Sequence, residues 1–124
     1  MTVSQRYPEA IDSAEKHTVP IEISFSIDAE APDGYYDIVH ILPAGLDFMG
    51  LARGSSQKGV WVSEVRGKQV TFSVFKDKQA KRESFTFDAR VTMTGSFMGE
   101  GTYIAHAAKP EFTSAAAGGR VIIE

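Results

Sequence analysis

Three histidines are the residues of this chain best suited to binding a metal, and their spacing argues against a shared site. His17, His40 and His106 lie far apart, and none forms the His-x-His or His-Glu-x-x-His pair that anchors many zinc sites. Three separate strands would have to bring them together on one ion. His40 shares a predicted strand face with Tyr36 and Leu42, so we interpret it as a neutral imidazole inside or at the rim of the core.

Four acidic residues form a second candidate for metal binding, around a predicted strand connection: Asp28, Glu30, Asp33 and Asp37. Oxygen-rich loops at the ends of β-sandwiches can hold Ca²⁺, so a calcium site is one hypothesis. The spacing does not match an EF-hand loop, and a solvated acidic hairpin tip is the simpler interpretation. We therefore expect no tightly bound metal and no cofactor.

Nucleophilic catalysis finds little support in the sequence. The chain has no cysteine, which excludes disulfides, thiolate ligands, cysteine catalysis and thioester chemistry within it. Ser96 lies one residue away from a Gly-x-Ser-x-Gly elbow and lacks its strand–turn–helix context, so we interpret it as a turn residue. There is no asparagine, so a lysine–asparagine isopeptide cross-link is excluded, whereas a lysine–aspartate bond stays open. We predict that the chain is not an enzyme.

The charge distribution points away from nucleic acid and membranes. The net charge is −3 and the pI is near 5.6, which gives no basic footprint for either partner. The charge run at 76–83 mixes both signs between two predicted strands, and we interpret it as a wet hairpin tip. No apolar run approaches the ~20 residues that span a bilayer, so we expect no direct membrane insertion. No signal peptide begins the sequence, so an export signal would lie upstream.

Alternation of apolar and polar residues, typical of β-strands, dominates the chain. It is clearest at 19–28, where every odd position is apolar, and it predicts further strands at 35–42, 60–62, 69–74, 84–92, 101–105 and 120–123. Only 9–16 could form a helix, of a turn or two at most. Turn residues recur between strands, for instance at 53–56. The 124 residues thus predict one domain, spanning 1–124, with an all-β antiparallel sandwich fold of about seven or eight strands.

The same alternation predicts which side chains form the core. They are the inward-facing members of the predicted strands: Ile21, Ile23, Phe25, Ile27, Ile38, Val70, Phe72, Val74, Phe85, Phe87, Val91, Val121 and Ile123.

Two pairs of bulky apolar neighbours predict a contact surface. Phe48 precedes Met49, and Phe97 precedes Met98. Because neighbouring residues of a strand point to opposite faces, one member of each pair should point away from the core. Single exposed apolar residues are common, so scattered surface side chains are the simpler interpretation. We predict that at least one of them belongs to a docking face for another domain of the same polypeptide.

An ordered set of motifs between residues 34 and 124 resembles a known family. A strand runs into Leu-Pro-Ala-Gly-Leu at 42–46, and an aromatic-x-aromatic-x-Ala-Arg-Val strand follows at 85–91. A Gly-x-Phe turn at 95–97 and a Pro-Glu corner at 110–111 complete the series. In order and spacing the set resembles the macroglobulin-like domain near the C-terminus of bacterial α2-macroglobulins. The chain departs from the family pattern at His40 and at 107–108, where it has Ala-Ala.

The resemblance implies an immunoglobulin-like or macroglobulin-like sandwich that acts as a non-catalytic domain of a protease-trapping endopeptidase inhibitor. Its partners would be the other domains of the parent chain, and proteases through the parent. The parent would be exported to the periplasm or the cell surface. The alternative is an immunoglobulin-like module of a bacterial adhesin or cell-wall protein. A thioester motif upstream would favour the first, and tandem copies of the domain would favour the second.

Overall fold

The computed structural model describes residues 1–15, 17–51 and 59–124, and these contain strands, turns and loops but no helix. The predicted all-β sandwich is therefore confirmed. Eleven strands are present in the described residues: β1 (Thr2–Arg6), β2 (Thr18–Ile27), β3 (Gly34–Ile41), β4 (Leu46–Leu51), β5 (Val60–Arg66), β6 (Gln69–Lys76), β7 (Lys81–Val91), β8 (Gly95–Met98), β9 (Gly101–His106), β10 (Thr113–Ala117) and β11 (Arg120–Ile123).

The strands form two antiparallel sheets and a small ribbon. One sheet has the order β1-β2-β7-β4, the other has the order β10-β9-β3-β6-β5, and β8 pairs with β11. The strand predicted at 35–42 is central, because β3 lies between β6 and β9. Its even-numbered residues Tyr36, Ile38 and His40 are buried, whereas its odd-numbered residues range from the exposed Tyr35 to the buried Val39.

The expected number of strands was wrong, because four short strands carry a weak sequence pattern. In β1 only Val3 is buried, and β10 has the sequence Thr-Ser-Ala-Ala-Ala without a large apolar residue. A bulge between Phe48 and Gly50 interrupts the alternation of β4. In β8, Ser96 pairs with Ile122 of β11, so Ser96 is a strand residue and not a turn residue as predicted.

The core lies between the two sheets, where twelve of the thirteen predicted core residues are buried. Val91 is the exception; it is only partly buried, since it stands at the last position of β7. Phe72 of the five-stranded sheet meets Phe85 and Phe87 of the four-stranded sheet at ring-centroid distances of 4.8 and 5.4 Å. Phe48 of β4 joins them at 6.1 Å from Phe72. This aromatic cluster ties the two sheets together through their inner faces.

The segment at 9–16 forms a turn and a single bridge and no helix in its described part. Ile11 is buried and pairs with Ile123 in an isolated parallel bridge. This bridge attaches the N-terminal connection to the last strand. The predicted turn at 53–56 lies outside the described residues. Within the described residues there is no helix that could span a membrane.

Candidate functional site

Two of the four acidic residues of the candidate calcium site pair with different cations of the protein. Asp28 pairs with the N-terminal ammonium of Met1 at 3.0 Å. Asp33 instead accepts a hydrogen bond from Lys76 Nζ at 2.8 Å. In the described part of the chain, no three His, Cys, Asp or Glu side chains form a group that could hold a metal ion. The positions Asp28, Glu30, Asp33 and Asp37 share a region of the fold without forming a binding cage there.

Lys76 corrects the interpretation of 76–83 as a wet tip throughout, because its side chain is fully buried. Besides Asp33, the Lys76 ammonium donates to the carbonyls of Ala29 and Ala31 at 3.1 and 2.9 Å. The Lys76 hydrogen bond and the Lys78 backbone N–H hold the pKa of Asp33 below its usual value. An ammonium with three acceptors is a poor nucleophile, and an ionised carboxylate is a poor electrophile. The pair is therefore a salt bridge and not a precursor of a lysine–aspartate cross-link.

A second lysine repeats this arrangement at the other end of β6. Lys68 Nζ donates to the carbonyls of Ala44 and Leu46 at 3.1 and 2.7 Å and to Asp47 Oδ1 at 2.6 Å. Its side chain is 37% exposed, whereas that of Lys76 is not exposed. We call these two arrangements the lysine clamps. They fix the connections that enter and leave the central strand β3, so they position the outer face of the five-stranded sheet.

His40 belongs to a buried chain of hydrogen bonds and not to a metal site. The Tyr7 hydroxyl lies 2.5 Å from Nε2, and Nδ1 lies 2.7 Å from the hydroxyl oxygen of Thr102. Thr102 in turn donates to the side-chain carbonyl of Gln5. Since Thr102 uses its proton on Gln5, His40 donates from Nδ1 and accepts at Nε2 from Tyr7. This series of hydrogen bonds connects β1 and the segment after it to β3 and β9, and so links the two sheets.

Burial determines the ionisation states of His40 and Tyr7. It lowers the pKa of His40 to about 4, because a charged imidazolium would lose its hydration. Burial also raises the pKa of the Tyr7 hydroxyl. Both groups are therefore neutral at physiological pH, as predicted for His40.

The other two histidines do not approach His40. His106 donates from Nε2 to the carbonyl of Asp33 at 2.7 Å, and its Nδ1 accepts from the backbone N–H groups of Ala108 and Lys109. His17 is exposed. The ring nitrogens of His40 and His106 are both occupied within the protein, which supports structural roles for both residues.

One member of each bulky apolar pair points outward, as the strand geometry predicts. Met49 is 55% exposed and Met98 is 67% exposed. Phe48 and Phe97 pack against the core instead. The outward methionines lie on β4 and on the β8–β11 ribbon. Their predicted role as a docking face for another domain stays a prediction.

A cluster of exposed aromatic side chains, not anticipated from the sequence, lies on the outer face of the five-stranded sheet. Tyr35 is 52% exposed, and its ring lies 4.9 Å from that of Phe75 and 5.8 Å from that of Trp61. We call these three residues the aromatic face. The signal was present in the alternation, because each is an apolar residue at a position that points away from the core. It was overlooked because single exposed aromatics are common, and only the strand register brings these three together.

Comparison with known proteins places the fold and gives no sequence relative. No protein-family model matches the chain, and no curated protein sequence matches it. Native Escherichia coli α2-macroglobulin matches 99% of this chain with a TM-score of 0.68 at 15% identity. The chain spans only 9% of that protein. It spans 22% of an E. coli α2-macroglobulin fragment that runs from domain MG7 to the C-terminus, with a TM-score of 0.67.

Two further matches show how widely the sandwich is used. A non-cellulosomal cohesin from Archaeoglobus fulgidus matches 100% of this chain and 92% of its own length, with a TM-score of 0.59 and 16% identity. The C-terminal domain of an AgI/II polypeptide from Streptococcus agalactiae matches 98% of this chain and 49% of its own length, with a TM-score of 0.58 and 8% identity. At these identities the likeness concerns the fold alone.

Proposed function

We propose that this chain is a non-catalytic macroglobulin-like domain of a bacterial α2-macroglobulin-like protein that traps proteases. The observation that supports this best is the match to E. coli α2-macroglobulin, which extends over 99% of the chain with a TM-score of 0.68. The cohesin and the streptococcal domain match with lower TM-scores of 0.59 and 0.58. The ordered motifs between residues 34 and 124 support the same choice independently of the fold comparison.

In this proposal the domain contributes packing surface and no chemistry. The proteases would be captured by other parts of the parent, and this domain would pack against neighbouring domains through its exposed apolar residues. The parent would be exported to the periplasm or the cell surface. The hydrogen-bonded series of Tyr7, His40, Thr102 and Gln5 contains no charged residue, which is consistent with a structural role for these buried polar groups.

A second candidate function is a module of a bacterial adhesin or cell-wall protein. The match to the C-terminal domain of a streptococcal AgI/II polypeptide favours this second function. The match to the cohesin favours it as well, because this chain covers 92% of the cohesin. In that case the domain would bind its partner through its own surface and would not need neighbours of the macroglobulin type.

The trapping function is tested on the full polypeptide that contains this segment. A structure of E. coli α2-macroglobulin activated by porcine elastase makes that protease a suitable probe. We expect elastase to migrate with the polypeptide and to lose activity on protein substrates while it still cleaves a small chromogenic peptide. The isolated 124-residue chain serves as the control and should leave elastase unaffected. A full polypeptide that leaves elastase free and fully active on proteins would contradict the proposal.

A further inference from the structure

The outer face of the five-stranded sheet combines exposed aromatic rings with a carboxylate. Tyr35 and Asp37 are two residues apart on β3, so both point to the same side of the sheet. Tyr35 pairs with Phe75 of β6, and Asp37 pairs with Ser73, which in turn pairs with Trp61 of β5. Trp61 therefore stands two strands from Asp37, about 10 Å away, and Tyr35 stands about 7 Å away along the strand.

The Asp37 carboxylate is not paired with a cation from the described part of the chain. Among residues 1–15, 17–51 and 59–124, no ion pair includes Asp37. The Ser73 hydroxyl donates to Asp37 Oδ1 at 3.5 Å, which is close to the longest distance at which a hydrogen bond forms. Arg66, a cation on the neighbouring edge strand, is already paired with Glu64 at 3.5 Å. The face thus presents a negative charge beside three partly exposed aromatic rings.

We propose that the aromatic face is a docking surface for a polypeptide segment that places an arginine or lysine over Asp37. The cation would pair with the carboxylate and lie against the faces of Tyr35 or Trp61, since both aromatic rings attract cations within about 6 Å. Apolar side chains that flank the cation would cover Phe75. This proposal goes beyond the protease-trapping function and does not depend on it.

The geometry favours a polypeptide over two other occupants. The rings of Phe75 and Trp61 are inclined at 60° and 79° to that of Tyr35, so the three do not form one flat platform for stacking sugar rings. A second copy docked with its two-fold axis at Asp37 would bring two Asp37 carboxylates towards each other, and the nearby Lys81 ammonium already donates to the Phe75 carbonyl at 2.7 Å. Charge complementarity therefore selects a basic partner.

The test uses a phage library of random peptides, selected on the immobilised chain. Trp61 is the single tryptophan of the protein, so its fluorescence reports binding at this face. We expect enriched peptides to carry Arg or Lys beside an apolar residue and to change Trp61 emission. Asp37→Asn and Tyr35→Ala should each weaken such a peptide about tenfold, as removal of one important contact does. Met98→Ala, on the β8–β11 ribbon, should leave its affinity unchanged, and replacing the peptide's basic residue by citrulline or glutamine should weaken it.

Several outcomes would overturn the proposal. Enriched peptides without a basic residue, no enrichment at all, or unchanged affinity in Asp37→Asn would each do so. A soluble oligosaccharide that changes Trp61 emission when no peptide does would assign the face to a polysaccharide. Self-association in sedimentation that Asp37→Asn strengthens would assign it to a second copy. Because Asp37→Asn preserves the size of a partly buried side chain, a far-UV spectrum suffices to show that this variant folds.

Discussion

At the scale of single residues, hydrogen bonds made by buried polar groups hold the structure in place. His40 uses both ring nitrogens on Tyr7 and Thr102, and Lys76 uses its ammonium on two carbonyls and Asp33. A buried polar group that is fully hydrogen-bonded costs little, whereas one that loses its partner costs its full desolvation. The stability of the domain should therefore respond to changes at these two residues.

Acid should destabilise the domain through His40. The folded-state pKa is about 4, below the unfolded value of about 6.5, so the unfolded chain binds the extra proton first. The free energy of unfolding should fall by about 3 kcal/mol as the pH drops from 6.5 to 4, because each pKa unit corresponds to 1.36 kcal/mol. Asp33, with a lowered pKa, adds its own loss only below about pH 4.

Urea denaturation at several pH values measures this effect. His17→Gln, which changes an exposed histidine, is the control and should keep the slope. His40→Gln should flatten the slope between pH 6.5 and 4 even though it lowers stability at neutral pH. A wild-type stability that stays constant over this range would show that His40 takes up its proton without unfolding cost.

The two lysine clamps give a matched pair of substitutions. Lys76→Met removes a buried ammonium and leaves the carbonyls of Ala29 and Ala31 without their donor, so it should cost about 2 kcal/mol. Lys68→Met removes the same set of bonds from a partly exposed site, where water can replace them, and should cost less than about 1 kcal/mol. Chemical denaturation measures both. Equal losses in the two variants would mean that burial does not distinguish the clamps.

At the scale of elements, backbone contacts decide how the short strands attach to the sandwich. The connection between β10 and β11 passes close to the chain before β9, where Gly99 N–H donates to the carbonyl of Gly119 at 2.7 Å. A Cβ on Gly118 would collide with the Gly99 carbonyl, whereas a Cβ on Gly119 would meet no atom within 4 Å. Two adjacent glycines thus have different roles.

Alanine at these two positions separates the roles. Gly118→Ala should destabilise the domain by roughly 1–3 kcal/mol, since the backbone of Gly99 must move, as in other overpacked sites. Gly119→Ala should stay close to wild type. Thermal unfolding monitored by far-UV circular dichroism compares them. A Gly118→Ala variant as stable as Gly119→Ala would show that the close approach relaxes without cost.

The sequence predicted the long strands and most of the core because each carries its own alternating pattern, as in β2. It did not predict β10, whose alanines give no pattern, or the burial of Lys76. That burial depends on carbonyls that the fold brings from 45 residues away in the chain. The aromatic face was missed for the same reason, since Tyr35, Trp61 and Phe75 meet only through the register of three strands. The local sequence pattern predicts individual strands, whereas contacts between distant segments can be identified only from the folded structure.

At the scale of the whole molecule, the domain has a well-packed interior and apolar residues left at several exposed positions. Met49 and Met98 point outward from β4 and from the β8–β11 ribbon, and the aromatic face covers part of the five-stranded sheet. The chain spans only 9% of E. coli α2-macroglobulin. Under the function proposed above, part of this exposed surface would contact other domains of a larger polypeptide. We propose that the domain docks against such neighbours through Met49 or Met98.

Hydrogen exchange tests this claim most directly when the isolated chain is compared with the full polypeptide that contains it. We predict slower exchange in the full polypeptide at residues 46–51 or 97–98, where Met49 or Met98 would be covered. The centre of β7, already buried in the sandwich, should exchange equally in both and serves as the internal control. Equal exchange at 46–51 and 97–98 in the two proteins would contradict docking through these residues and favour an independent binding module.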